Sequence, residues 1–197
     1  MTQVIANMSM SLDGIVSHPV SGVEHLFGWY FSGEVEVETA SSDLTFQMGE
    51  EDAERMQQAP SSLGALVAGR RTFDEAQGWN GHHPMGCPVF VVTHQVPEGW
   101  PREDSDITFV TDGVDSAVAR AKAVAGDRIV AIASPDIVRQ CLDADLLDEI
   151  RVDLIPVLLN EGTRFFDNLA NSPIWLQDPE ISAGKGVTHL HYRVASH

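Results

Sequence analysis

The chain has 197 residues, 43% of them hydrophobic and 21% charged, a globular composition with enough apolar material for a full core. Its 29 acidic against 12 basic side chains leave a formal charge of −17, a field that repels polyanions and argues against nucleic acid or an anionic membrane surface as partner. No apolar run reaches membrane-spanning length, the N-terminal MTQVIANMSM carries no secretory pattern, and Cys87 and Cys141 fit neither a disulfide framework nor a metal-ligand spacing. The expectation is a cytoplasmic protein with two reduced, buried thiols.

Residues 3–10, QVIANMSM, read as a first strand, and SLDGIV turns the chain at Asp13-Gly14. Residues 17–48 are aromatic, then acidic, then polar, with no sustained period. A segment of that kind inside a compact fold is expected to be a lid or binding loop. GEEDAERMQQA (49–59) reads as a helix stopped by Pro60, so that about 17–60 forms an irregular substrate-facing segment within one domain spanning 1–197. ALVAG (65–69) is a short buried strand, and RRTFDEA opens a short helix. CPVFVVT (87–93), with proline at its start, and DITFVT (106–111) are further strands. Over 113–125, Val114, Ala117, Val118, Ala121 and Val124 share a helical face that Gly126 closes, and Asp112 with Asp115 resembles a capping box. VAIASPDIVRQCL (130–142) is a strand running into a helix, with Ser134 as N-cap and Pro135 where the first turn tolerates a missing N–H. EIRVDLIPVLL (149–159) is a long strand. GVTHLHYRV (186–194) alternates, with Leu190, Tyr192 and Val194 facing one way and His189, His191 and Arg193 forming a polar outer face. With IWLQDPEISA before it, this predicts a C-terminal antiparallel hairpin. Strands alternating with helices before a closing hairpin predict an α/β fold with a mixed sheet and helices on both faces.

Chemistry concentrates where these strands end. Gly69 lets the chain turn or a ligand approach. Arg70, Arg71 and Thr72 open a helix, a common anion site, although the same pair also reads as solvated arginines offsetting local acid. Thr93, His94 and Thr111 end the next two strands, and Ser134, Pro135 and Asp136 open a helix at the end of another. The carboxyl edge of an open α/β sheet is where ligands bind.

These residues carry a resemblance. MSLDG, VAGRRTFDEAQGW, HHPMGCPVFVVTH and VRQCLDADLLDEIRVDLIPVLLNEGTRFFD resemble the dihydrofolate-reductase-like family that includes the C-terminal reductase domain of the bacterial riboflavin-biosynthesis deaminase/reductase. The resemblance runs through nearly the whole chain and is weakest over 17–60. It implies a three-layer α/β/α sandwich around a central mixed, mostly parallel sheet, NADPH as hydride donor, and a homodimer. It also implies that Gly69, Arg70, Arg71 and Thr72 hold the ribose 2′-phosphate, Thr93 and His94 flank the adenosine, residues 133–136 cradle the pyrophosphate, and Leu12, Asp13 and Gly14 border the nicotinamide. The family has two consecutive glycines where this chain has Ala133 and Ser134, which restricts backbone freedom and close approach of a diphosphate. Asp136 adds a charge that competes for the same N–H groups, whereas Ser134 has a hydroxyl to give a phosphate.

A reductase also needs a proton source, and Asp13 and Asp43 are candidates, each with a plainer reading: Asp13 shapes its turn and Asp43 caps a helix. Trp29, with Tyr30 and Phe31, and Trp79 either wall a site for a flat heterocycle or close the core under a long loop. His25, His82, His83 and His94 complete no metal-ligand spacing, so no metal is expected, and no serine-hydrolase motif is present. Two functions stand: an NADPH-dependent reductase of a small pterin- or pyrimidine-like substrate, or a non-enzymatic binder or dimeric scaffold that kept the fold and weakened cofactor binding.

Overall fold

A computed structural model describes residues 2–195. Its centre is one eight-stranded sheet in the order β11-β12-β9-β1-β8-β5-β6-β7. β1 (Val4–Ser11), β5 (Leu63–Gly69), β6 (Val89–Val92), β7 (Ile107–Val110), β8 (Ile129–Ile132) and β9 (Glu149–Ile155) run parallel. β11 (Glu180–Gly184) and β12 (Val187–Arg193) add the expected antiparallel hairpin beside β9. The short apolar runs ALVAG, VFVV and IVAI belong to strands covered on both faces. From β7, helix α3 (Val114–Ala125) carries the chain back to β8, between β1 and β5, and α4 (Pro135–Asp143) carries it to β9 on the far side of β1. That reversal leaves a crevice at the carboxyl ends of the central strands.

The layers follow from side-chain alternation. Val4, Ala6, Val67, Val130 and Ile132 face α3 and α4 and pack on Ala117, Val118, Ala121, Ile137 and Val138. The opposite face is split into two clusters. Leu66, Ala68, Val89 and Val91 pack with Phe73 of helix α2 (Arg70–Glu75). Ile155 and Val187 pack with Leu26, Trp29, Met48 and Ala53.

The segment 17–60 is built rather than loose. β2 (Ile15–Ser17) pairs with β10 (Thr163–Arg164), a 3₁₀ turn covers Gly28–Phe31, and β3 (Val35–Glu38) pairs with β4 (Thr45–Met48). Its strands are only three or four residues long, too short for periodicity to reveal them. Helix α1 (Glu50–Ser62) runs through Pro60. The Ser61 and Ser62 hydroxyls donate to the Gln58 and Ala59 carbonyls in its last turn.

Other boundaries move for local reasons. β9 stops at Ile155, before Pro156, instead of reaching 159, because proline has no N–H for the ladder. β6 begins at Val89, after Pro88. At α3, Gly113 is the N-cap with no side-chain bond, and Asp112 pairs with Arg120 at 3.1 Å instead of capping. Ala125, not Val124, completes the buried face, and Val124 is 52% exposed. Burial raises the Cys87 thiol to about 11 and Cys141 to about 12, which leaves both protonated and inert. Among the described residues no helix is long and apolar enough to cross a membrane.

Candidate active site

Because six neighbouring strands are parallel, their carboxyl ends share one rim. Leu12, Asp13 and Gly14 follow β1. Ala133, Ser134, Pro135 and Asp136 follow β8, Gly69 to Thr72 end β5 and open α2, Thr93 and His94 follow β6, and Thr111 follows β7. Adjacent strands lie about 4.8 Å apart, so these groups form a continuous edge.

Ser134 occupies its centre. The Gly69 N–H donates to its Oγ at 2.7 Å, and that hydroxyl donates to Thr72 Oγ1 at 2.7 Å. Only 4% of Ser134 is exposed. Its hydroxyl, expected to face a phosphate, instead locks the β5–α2 turn to the β8–α4 turn. It therefore makes no capping bond to α4, and the early N–H groups of Asp136 and Ile137 are not met by a side chain. The Asp136 carboxylate turns back along the helix to Arg139 at 2.8 Å and Gln140 at 2.8 Å.

Both rim arginines are engaged along their own helix. Arg70 Nε lies 2.9 Å from both oxygens of Asp74, and its Nη1 donates to the Gln95 carbonyl at 3.1 Å. Arg71 Nε donates to Glu75 at 2.7 Å. Exposed pairs of this kind are worth about 0–1 kcal/mol, so a phosphate can draw either guanidinium away. Thr93 Oγ1 donates to the Gln95 carbonyl at 2.9 Å, while His94 and Thr111 are exposed.

Asp13 accepts from the Ser11 hydroxyl at 2.6 Å and from the N–H groups of Leu159 at 3.1 Å and Asn160 at 2.6 Å. Those bonds, the Ser11 one foremost, lower its pKa to about 2. A carboxylate held so firmly ionised shapes its turn and carries no proton at neutral pH. Asp43 is exposed in the β3–β4 turn, where the Ser42 hydroxyl meets it at 3.3 Å; it caps no helix. Trp29 is 6% exposed, stacks on Tyr30 at 4.1 Å between centroids and donates its Nε1–H to Ser9 Oγ at 3.1 Å. Trp79 is half-buried beside Phe73 and His83. In this conformation both tryptophans pack into the protein rather than lining an open wall.

One constellation escaped the sequence reading. Asn7 lies in the middle of β1, paired with Arg151 of β9, yet it is exposed. Next to β1, Ala131 of β8, opposite Ile5, and Ala133, just past the end of β8, are small and half-buried. Asn7 is thus an exposed polar residue on a strand whose neighbour carries small side chains. Asn7 Nδ2 donates to Asp153 Oδ2 at 3.1 Å. Asp153 Oδ1 lies 2.7 Å from His189 Nδ1, and His189 Nε2 lies 3.0 Å from Asp52 Oδ1. With a carboxylate at each ring nitrogen, the arrangement favours the protonated ring. Burial alone would lower the His189 pKa, but hydrogen bonding and charge from Asp153, then bonding from Asp52, raise it. His189 is therefore not on a polar outer face: it is 6% exposed, and half-buried His191 is lowered by burial and by Arg151. Matching polar alternation on three strands, Asn7/Ser9, Arg151/Asp153 and His189/His191, was the available signal.

The reversed, mostly parallel sheet and the rim at its carboxyl edge define a dihydrofolate-reductase-like fold. The solved dihydrofolate reductase of Enterococcus faecalis, complexed with NADP(H) and RAB-propyl, superposes with a TM-score of 0.58 at 15% identity, covering 98% of this chain and 97% of that one. The crystal structure of a "Putative riboflavin biosynthesis protein" from Shewanella sp. PV-4 superposes with a TM-score of 0.68 at 22% identity, covering 99% of this chain and 100% of that one. Over residues 2–189 the sequence matches the RibD C-terminal domain, and the chain belongs to that family. It is also 22% identical over 190 residues to the uncharacterized protein YwjB of Bacillus subtilis (strain 168), covering 96% of this chain and 97% of that protein.

Proposed function

We propose that this protein is an NADPH-dependent reductase that delivers hydride to a small pterin- or pyrimidine-like heterocycle, acting as a cytoplasmic homodimer. The observation that carries this reading is the rim, where an uncapped helix start, two arginines held by weak pairs and Thr72 stand on adjacent strand ends. These groups fit a phosphorylated dinucleotide. Arg70, Arg71 and Thr72 would hold the 2′-phosphate, Thr93, His94 and Thr111 the adenosine side, and the Asp136 and Ile137 N–H groups the pyrophosphate. Leu12 and Gly14 would border the nicotinamide. NADPH supplies hydride when bound, and the protein orients it and excludes water.

A second reading has a specific observation behind it. Ser134 places a side chain, its hydroxyl already bonded to Gly69 and Thr72, where the family's glycines leave backbone alone. Losing one or two phosphate contacts, each worth about 1.5–3 kcal/mol, weakens binding roughly ten- to several-hundred-fold or more. A member so weakened would serve as a small-molecule binder or dimeric scaffold. Titrating NADPH and NADH against thermal stability and nicotinamide fluorescence separates the two. A reductase gains stability with NADPH at micromolar levels; no response at millimolar levels supports the scaffold.

A further inference from the structure

We propose that the charged hollow at the β11 edge of the sheet, where Arg151 and Arg193 share a cavity with Asp178 and Glu180, binds a small zwitterion, a carboxylate joined through a short chain to an ammonium. The site lies apart from the rim and stands or falls independently of the reductase reading.

A bulge makes the hollow. Ahead of β11, Leu176 bridges to Val194, and the Gln177 N–H donates to the Arg193 carbonyl at 3.0 Å. Glu180, however, stands opposite His191. Three steps along this edge therefore match two along β12, and the extra residue falls at Asp178-Pro179, the kind of edge position where proline and bulges occur together. A cavity of about 350 Å³ opens there, floored by Glu149, Arg151, His191 and Arg193 and walled by Gln177, Asp178 and Glu180. It lies between β9 and the free edge of the sheet, on the far side of β9 from β1. The cavity meets β9 at Glu149 and Arg151, whereas the rim lies beyond the other end of that strand, at Ile155. About 13–20 Å of strand separates the two, at roughly 3.3 Å per residue.

The floor supplies positive charge that the protein leaves uncommitted. Glu149, with a side chain 12% exposed, accepts from Arg151 Nη2 at 2.8 Å on one oxygen and from Gln3 Nε2 at 3.2 Å on the other. Arg193 stands directly opposite Glu149 on β12, yet forms no ion pair with that occupied carboxylate. Of the ten arginines in the sequence, the other nine have a carboxylate, carbonyl or ring partner. Arg193 is the one whose side chain has none among the described residues. Arg151 bonds Glu149 through Nε and Nη2, which leaves Nη1 and its two N–H groups for a ligand. Two guanidiniums on diagonal positions of neighbouring strands suit a carboxylate. Burial and the charge of Arg151 lower the His191 pKa, so at neutral pH that ring adds a hydrogen-bonding nitrogen and no charge.

The wall supplies the opposite sign. Asp178 and Glu180 are exposed, and among the described residues neither carboxylate has a hydrogen-bond or ion-pair partner. They stand one strand away from the arginines, about 4.8 Å. They repel a second negative group, which disfavours phosphate, and they attract an ammonium. Exposed charges are weak singly, so a ligand that carries both signs gains from floor and wall together. A chain of a few methylenes spans that separation, which makes an ω-amino carboxylate the matching class.

The test uses 4-aminobutanoate as probe, with butanoate and butylamine as controls carrying one charge each. Binding to the intact, isotope-labelled protein is followed through the Arg151 and Arg193 Nε–H resonances and the Asp178 backbone amide. At about 10 mM a ligand of millimolar Kd fills most of its site. The probe should shift all three signals, and each control should bind at least about fivefold more weakly. Arg193→Gln should weaken the probe at least about fivefold, read through Arg151 and Asp178. Glu180→Gln should weaken the probe several-fold and leave butanoate no weaker, because only the ammonium loses a partner. Both changes are at exposed positions, so melting temperature should hold; should Glu180→Gln disturb the fold, Asp178→Asn carries the same expectation. Absent wild-type shifts, a control that binds as well as the probe, or unchanged probe binding in Arg193→Gln or in the folded acidic variant each overturn the proposal.

Discussion

The two halves of the sheet face that carries the site are built on different terms. Over β5, β6 and β7 that face is apolar, with Leu66, Ala68, Val89 and Val91 under Phe73. Over β1, β9 and β12 it carries Asn7, Ser9, Asp153 and His189. The first half needs only hydrophobic burial, at roughly 25 cal/mol per Å². The second holds ions away from water, where each unpaired charge costs several kcal/mol, so its polar groups must meet in fixed pairs. The apolar half lies beneath the rim, and the polar half is held by directional hydrogen bonds.

The strongest attempt to break this contrast removes one residue from each half. Asp52→Ala leaves the His189 imidazolium short of a partner inside the protein, and destabilisation of roughly 3–5 kcal/mol is expected in urea unfolding at neutral pH. Leu66→Ala, 4% exposed, should lose about 2–5 kcal/mol through lost contact and cavity. The magnitudes overlap, and the discriminating measurement is their dependence on pH. The Asp52→Ala loss should shrink as His189 deprotonates, whereas the Leu66→Ala loss should stay constant. A flat pH dependence for both would mean that the polar half is held by burial as well.

Titrating the wild type sharpens the same point. The folded-state pKa of His189 is raised above 6.5, so its stabilisation is fully present below about 6.5 and is lost as pH rises through the folded value. Asp13 is lowered from 3.8 to about 2, so its contribution is present above about 3.8 and is lost as pH falls through about 2. Unfolding midpoints should therefore decline on the alkaline side in the wild type and not in His189→Gln. On the acid side, Asp13→Asn should flatten the part of the decline that belongs to the 12–14 turn.

This contrast also explains what the sequence could reveal. The rim was readable because buried parallel strands are short apolar runs, and the residue after each run falls at a shared edge, as with Gly69, Thr93 and Thr111. The C-terminal hairpin was readable from its alternation. Asp52, Asp153, Asn7 and His189 come from elements far apart in the chain, and only register brings them together: Ser9 opposite Asp153, and Asp153 opposite His189. Alternation by itself assigned His189 to solvent, since period two says which residues share a face and not which face is covered. β3 and β4 gave too few residues for any period, and α1 runs two residues past Pro60, which lies in its last turn.

On the rim, the change of intermediate size is at Ser134. Ser134→Gly, combined with Ala133→Gly, should raise NADPH affinity about tenfold or more, since one or two charged contacts of about 1.5–3 kcal/mol become available. It should also lower stability by about 1–3 kcal/mol, because the Gly69 N–H loses its partner. Unchanged affinity with lowered stability would show that Ser134 is a lock between two turns and does not limit the cofactor.

The smallest effect on stability is expected at Arg71. Its bond to Glu75 joins two exposed side chains, so Arg71→Ala should alter unfolding free energy by less than about 1 kcal/mol. If the guanidinium leaves Glu75 for a ribose 2′-phosphate, the same change should cut the preference for NADPH over NADH about tenfold, the scale of one charge-assisted contact of about 1.5 kcal/mol. NADH lacks that phosphate, so its affinity should not move. A variant that weakens both dinucleotides equally would place Arg71 on a group they share, and one that weakens neither would leave the arginine as a solvated partner of Glu75 and put the phosphate contact on Arg70, whose Nη1 already reaches across to Gln95.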